Sequence, residues 1–288
     1  MTFADRRRRP ALTPTCTHGR NIMTIRNLTL AALTAVGLAA ALPAGADTLS
    51  DIRDRGTINI GVDIGQAPFG MVDGSMNQTG SDVDTARKLA EDLGVKLNVV
   101  SVAPANRIPF LLTGKVDVVV ASFSITEERK KQVDFSKPYA VSEVVVATTG
   151  GLELSGPADL EGRQIAVTRA STNDTLITDA IAANDVKATI VRYDDNAMTT
   201  NAVLSGQHDV YVVAQSLLVP INEANPSRKI EPQFVLRTYP LAIGLRKNEP
   251  ELKDWLDNWV DENLANGKLN EIYQTYHLSP LPDVIPEE

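Results

Sequence analysis

From Thr57 onward, short runs rich in β-branched residues alternate with amphipathic stretches that end on glycine, and few folds accept that order. Residues 57–62 (TINIGV) read as a strand, 82–93 as a helix stopped by Gly94, and 95–100 as a second strand. Residues 108–113 follow as a helix ended by Gly114. The almost all-valine run 116–120 reads as a strand buried on both faces. The order then repeats, with strands at 164–168, 188–192 and 210–213 and helices at 172–183 and 197–204, the last stopped by Gly206. Strands separated by helices run parallel, because a helical crossover carries the chain back to the starting edge of the sheet.

A local echo supports two similar halves. Gly114-Lys-Val-Asp117 precedes one apolar strand, and Gly206-Gln-His-Asp209 precedes another. Between the halves, 143–149 is extended and runs into Gly150-Gly151, and 234–245 is extended with Pro240 inside it. The expected organisation is therefore two α/β lobes, each a mainly parallel sheet flanked by helices and joined by two crossings. Lobe 1 would span 47–146 and be completed by 239–288, and lobe 2 would span 147–238. Leu252, Trp255, Leu256, Trp259 and Val260 fall at helical spacing within 249–263 and read as a packing face. The tail 279–288, with three prolines, reads as loose.

The N-terminal 46 residues stand apart. Residues 28–42 carry no charge, follow Arg26 and lead into Ala44-Gly45-Ala46, so 23–46 read as a secretory signal peptide cleaved near Ala46. Residues 1–22 read as a mis-set start or an extended n-region. The whole chain carries 28 basic against 36 acidic residues, a net charge of -8. Six of the basic residues and one acidic lie in the first 46, so the remainder holds 22 against 35, a net of -13. Such an acidic chain lacks the basic surface that binding nucleic acid requires. The lone cysteine, Cys16, allows no internal disulfide, and His18, His208 and His277 share no metal-ligand spacing. No nucleotide, nucleophile-elbow or zinc motif is present, so no catalytic group, cofactor or metal is expected.

In open parallel sheets, ligands bind beyond the carboxyl ends of the strands, and two such lobes facing each other would enclose a cleft. After the first strand come Asp63, Gln66, Pro68 and Phe69, and after the third come Ser122, Ser124 and Thr126. Thr126 is a good N-cap for a helix opening on Glu127 and Glu128, and Arg129 adds a fork of donors suited to two carboxylate oxygens. Arg129 could equally pair with Glu127 or Asp134 on the surface. In the second half, Ser171, Thr172 and Asn173 follow a strand, where they supply hydroxyls or ordinary capping.

The stretches GVDIGQAPFG, TGSDVDTARKLAEDLGVKL, NRIPFLLTGKVDVVVASFSITEERKKQVDFSKPY and NGKLNEIYQTYHL resemble the family 3 solute-binding proteins, periplasmic receptors of ABC importers for polar amino acids and opines. The resemblance covers residues 50–278. It implies the two-lobed periplasmic-binding-protein type II fold, a monomer that closes on a small carboxylate-bearing ligand and docks on a permease in the inner membrane. By the same resemblance, Arg129 holds the ligand α-carboxylate with the backbone after Ala121, Ser122 and Ser124, and Thr172 with Ser171 contacts the same group. Asp63 falls where basic amino-acid binders face the ligand side chain. Gln66 and Pro104 replace aromatic walls, and Ser81 replaces an aromatic. Where the family commonly has an aspartate for the ligand ammonium, this chain has Ala214 followed by Gln215. The implied ligand is therefore an opine, another N-substituted or cyclic derivative, or an amino acid whose ammonium goes to Asp63. Cyclohexadienyl dehydratases also resemble this family; they require acidic residues at the second-lobe turn, which Ala214, Gln215 and Leu217 do not supply.

Overall fold

A computed structural model describes residues 47–287. The signal peptide assigned to 23–46 and the segment 1–22 lie outside the described residues. The first half of the chain builds α1 (Thr48–Arg55), β1 (Thr57–Val62), a small ribbon of β2 (Met71–Val72) and β3 (Gln78–Thr79), and α2 (Ser81–Leu93). It continues with β4 (Lys96–Ser101), α3 (Arg107–Leu112), β5 (Val118–Val119), α4 (Glu127–Lys130) and the long β6 (Asp134–Thr149). The second half has β7 (Gln164–Thr168), α5 (Thr172–Ala183), β8 (Thr189–Tyr193), α6 (Asn196–Leu204), β9 (Val210–Ala214) and α7 (Leu218–Ala224). A second long strand, β10 (Ile230–Leu245), returns the chain to α8 (Pro250–Ala265) and α9 (Lys268–His277).

The main sheet has eight strands in the order β4-β1-β5-β10-β6-β9-β7-β8. β1 runs parallel to β4 and β5, and β7 runs parallel to β8 and β9. These two parallel triplets are the two lobes. β6 and β10 join them as an antiparallel pair, with register shifts at Pro232/Phe234, Val235/Arg237, Leu241/Ala242 and Ala242/Gly244. The two crossings read from the sequence are thus one sixteen-residue ribbon whose strands pair along their length. Pro240 costs no ladder bond that matters: it has no N–H to donate, and its carbonyl accepts from Ile125 N at 3.0 Å.

Local chemistry sets the element ends. Gly94 stops α2 in the left-handed region at φ 74, where a side chain would be strained. Ser171 caps α5 by accepting from Asp174 N at 3.2 Å, and Asp195 caps α6 by accepting from Met198 N at 2.7 Å. The strand expected over 116–120 is only two residues long, although its ladder extends further through Asp117 N to Asn59 O (2.8 Å) and Val120 N to Gly61 O (2.9 Å). β4 and β8 each lie one residue later than expected.

Leu252, Leu256, Trp259 and Val260 of α8 are buried, as their spacing predicts, and Trp259 Nε1 donates to Asp92 Oδ2 at 2.7 Å. The tail is anchored at one residue. Leu281 is buried and its N–H donates to Asn270 Oδ1 at 2.8 Å, an apolar anchor within a tail whose Val284 is 80% exposed. Among the described residues, no helix is long and apolar enough to cross a membrane.

Candidate functional site

The loops leaving β1, β5 and β7 bring residues of both lobes to the carboxyl ends of the parallel strands. The loop after β1 is closed by a reciprocal pair of 3.0 Å bonds between the backbones of Gln66 and Gly70. A Cβ on Gly70 would stand 2.3 Å from the Asp63 carbonyl, so only glycine lets this turn tuck under and hold Asp63 and Gln66 inward.

Asp63 is buried and already engaged. Its Oδ2 accepts from Arg107 Nη2 at 2.9 Å and from Asn196 Nδ2 at 3.1 Å, and its Oδ1 accepts from Gly65 N at 3.2 Å. Burial pushes its carboxyl upward, with Arg107 pulling the other way. Arg107 also donates to Gln66 Oε1 at 3.3 Å, and its Nε is sealed from solvent without a partner. Asn196 belongs to lobe 2, so its bond to Asp63 crosses the cleft. A second crossing joins Ser124 Oγ and Thr172 Oγ1 at 3.4 Å. The two lobes therefore touch.

Arg129 presents the opposite situation. Thr126 caps the single turn of α4 by accepting from Arg129 N at 3.3 Å. The guanidinium donates to Ser124 O at 2.8 Å and lies 4.7 Å over the Phe123 ring. The surface partners open to it in sequence are taken by others: Glu127 pairs with Lys130 at 2.9 Å and Asp134 with Lys247 at 3.2 Å. Among the described residues, Arg129 has no ion pair. Desolvation, reinforced by the charge of Arg107, pushes it down to about 9. An anion placed here would relieve that cost.

Near Asp63 and Arg107 lies Asp82, fully enclosed, accepting from Ser122 N at 2.6 Å and from the Tyr139 hydroxyl at 2.7 Å. Desolvation raises its carboxyl to about 7. The Ser122 N–H is thus spent on holding its own left-handed turn (φ 47), whereas the resemblance gives this stretch of backbone to the ligand. The Ser122 hydroxyl accepts from Gln66 Nε2 at 3.5 Å.

The other sequence candidates divide. Thr172, Ser124, Ser122, Gln66, Asp63 and Arg129 come together, with buried Ala121 behind them. Ser171 uses its hydroxyl locally, donating to Thr168 O at 2.6 Å while capping α5. Asn173 reaches Val212 O on β9 at 3.4 Å. Phe69 is buried edge-on against His277 at 4.8 Å and serves the core of lobe 1. Ala214 ends β9 opposite Val144, and exposed Gln215 borders a cavity of about 730 Å³ beneath the C-terminal tail. A cavity of about 380 Å³ opens beside Arg129, bordered also by Thr126, Ser171, Thr172, Arg237 and Tyr239. Arg107 and Asn196 were not among the sequence candidates. The signals available were an arginine two residues after Ala105, at a helix start, and an asparagine directly after the Asp195 cap.

Two α/β lobes meeting beyond their strand ends, with a guanidinium held between them, define a two-lobed binding protein. The family model for bacterial extracellular solute-binding proteins, family 3, matches residues 58–279, and the chain belongs to that family. It is 26% identical over 235 residues to the ABC transporter glutamine-binding protein of Bacillus subtilis (strain 168), covering 80% of this chain and 84% of that one. It is 28% identical over 228 residues to the L-arginine-binding protein of Pseudomonas aeruginosa, covering 76% and 87%. Among solved structures, an ancestral amino acid-binding protein described as a precursor of cyclohexadienyl dehydratase aligns with a TM-score of 0.73 at 30% identity, covering 80% of this chain and 99% of that one. These named relatives are binding proteins, and family members are periplasmic or extracellular.

Proposed function

We propose that the chain, cleaved near Ala46 and released as a periplasmic monomer, is the receptor of an ABC importer. It captures an amino acid or a carboxylate-bearing amino-acid derivative between lobe 1 (47–146 and 239–288) and lobe 2 (147–238), then delivers it to the inner-membrane permease. Arg129 holds the carboxylate, with Ser122, Ser124, Ser171 and Thr172 around it and Asp63 and Gln66 on the same lobe beside it. The observation that carries this reading is the Arg129 guanidinium, set between the lobes with no ion pair among the described residues. Closure excludes water around the ligand and shifts an open population to a closed one.

The test is to purify the protein natively, denature it and identify the released small molecules by mass spectrometry. One carboxylate-bearing solute per chain is expected. A chain that releases none, and whose melting temperature no amino acid or derivative raises, would overturn the reading.

A second reading is a cyclohexadienyl dehydratase-like enzyme on the same scaffold, since one similar binding protein is described as a precursor of that enzyme. The turn after β9 argues against it: Ala214, Gln215 and Leu217 place no carboxylate there for proton transfer. Incubation with prephenate or arogenate decides between the two, and turnover would establish the enzyme.

A further inference from the structure

Lobe 1 brings two guanidiniums to the cleft but only one carboxylate bonded to either. Arg107 takes Asp63 at 2.9 Å, and its charge in turn acts on Arg129. Asp63 has little capacity left, since both of its oxygens accept hydrogen bonds. The next carboxyl, Asp82, is sealed under the Ser122 turn by two bonds of its own. Lobe 2 answers with neutral groups: the Thr172 hydroxyl and the Asn196 amide, the latter braced by Thr168 at 2.9 Å. Asp195, the carboxylate of lobe 2 whose charge reaches Asp63, is turned onto the first turn of α6, where it caps Met198 N. Glu127, Glu128, Asp179 and Arg237 at the rim are exposed, so water and salt screen them, and Lys130 there pairs with Glu127 at 2.9 Å.

A charge taken from water is costly unless an opposite charge meets it. Arg107 and Asp63 cancel, Asp82 keeps its proton below its raised value of about 7, and Arg129 leaves the inner cleft with one positive charge. A zwitterionic solute brings no net charge to offset it. Its ammonium would need Asp63, and taking Asp63 would strand Arg107, whose Nε already lacks a partner; a second carboxylate on the solute offsets that ammonium, and acylation removes it.

Resting on the receptor reading above, we propose that the cleft selects solutes of net charge −1, anchored on Arg129 over a self-neutralised Arg107–Asp63 floor. Acidic amino acids and N-acylated amino acids share that chemistry, and a matched panel separates them.

The experiment is calorimetric titration of the purified, ligand-stripped protein with L-glutamate, N-acetyl-L-glutamine, L-glutamine and L-arginine. At least one of the first two is expected to bind about tenfold or more tighter than L-glutamine. Preference for L-glutamate over N-acetyl-L-glutamine would assign an acidic amino acid, and the reverse order an N-acylated one. Equal or tighter binding of L-glutamine or L-arginine would overturn the charge assignment and leave the receptor reading intact. Binding of none of the four or of any other solute would overturn both. In Arg107→Gln, which leaves the charge of Asp63 uncompensated, the preference should move toward L-glutamine. A folded Arg107→Gln protein with the wild-type order would count against the self-neutralised floor.

Discussion

Arg107 and Arg129 belong to the same lobe and face the same cleft, yet the fold treats them in opposite ways. Arg107 is buried to the point that one of its nitrogens has no partner, and it is tied to Asp63. Arg129 keeps a partly open surface, rests on Phe123 and the Ser124 carbonyl, and meets no carboxylate among the described residues. The difference separates holding the structure from holding a ligand. A buried charge with a built-in partner stabilises the empty protein, and a charge left without one acts only when something arrives to neutralise it.

The largest effect should come from breaking the paired member. Arg107→Ala leaves Asp63 buried and uncompensated, at a cost of about 3–5 kcal/mol and a fall in melting temperature of about 10 °C. Thermal unfolding followed by circular dichroism measures this, and a near-unchanged melting point would erase the contrast between the two arginines. Arg129→Ala should do the reverse. It is expected to weaken ligand binding by about 100-fold or more, read by calorimetry, while moving the melting point of the ligand-free protein by less than about 3 °C.

A smaller change is expected on the lobe 2 side. Asn196→Ala removes the 3.1 Å bond to Asp63, which should cost about three- to tenfold in affinity, and small-angle scattering should show the ligand-free protein more open. An affinity unchanged by that substitution would mean that closure does not depend on this contact.

A last effect is a matter of slope. Burial raises Asp82 from its ordinary value near 3.8 to about 7, so the folded chain keeps a proton that the unfolded chain gives up. Stability from this group is full below its unfolded value and is lost as pH rises through about 7. Between about pH 5 and pH 8 the wild type should therefore lose melting temperature relative to Asp82→Asn, in which that position no longer titrates. Parallel pH profiles for the two proteins would show that Asp82 is ionised in the fold.

Much of the scaffold was legible because its causes are local. The strand at 57–62, the Gly94 stop and the Thr126 and Ser171 caps each depend on residues within about a turn of one another. The extent of β6 and β10 was less legible. Residues 134–142 and 230–233 extend because each finds the other strand, and no periodicity within either segment announces that. The anchoring of Leu281 in the tail was illegible for a similar reason, since it depends on Asn270 and the core of lobe 1.

By itself, then, the sequence determined the alternation of strands and helices, the caps that end them, the two-half organisation and the cluster of hydroxyls around Arg129. Tertiary structure alone decided which charge is spent and which is kept. The pairing of Asp63 with Arg107 spans 44 positions and the Asn196 contact 133. It also set Asn173 against β9 and Gln215 beside the tail. The physical reason is range. Capping and periodicity act over a few residues, whereas the cost of a buried charge depends on everything the fold packs around it.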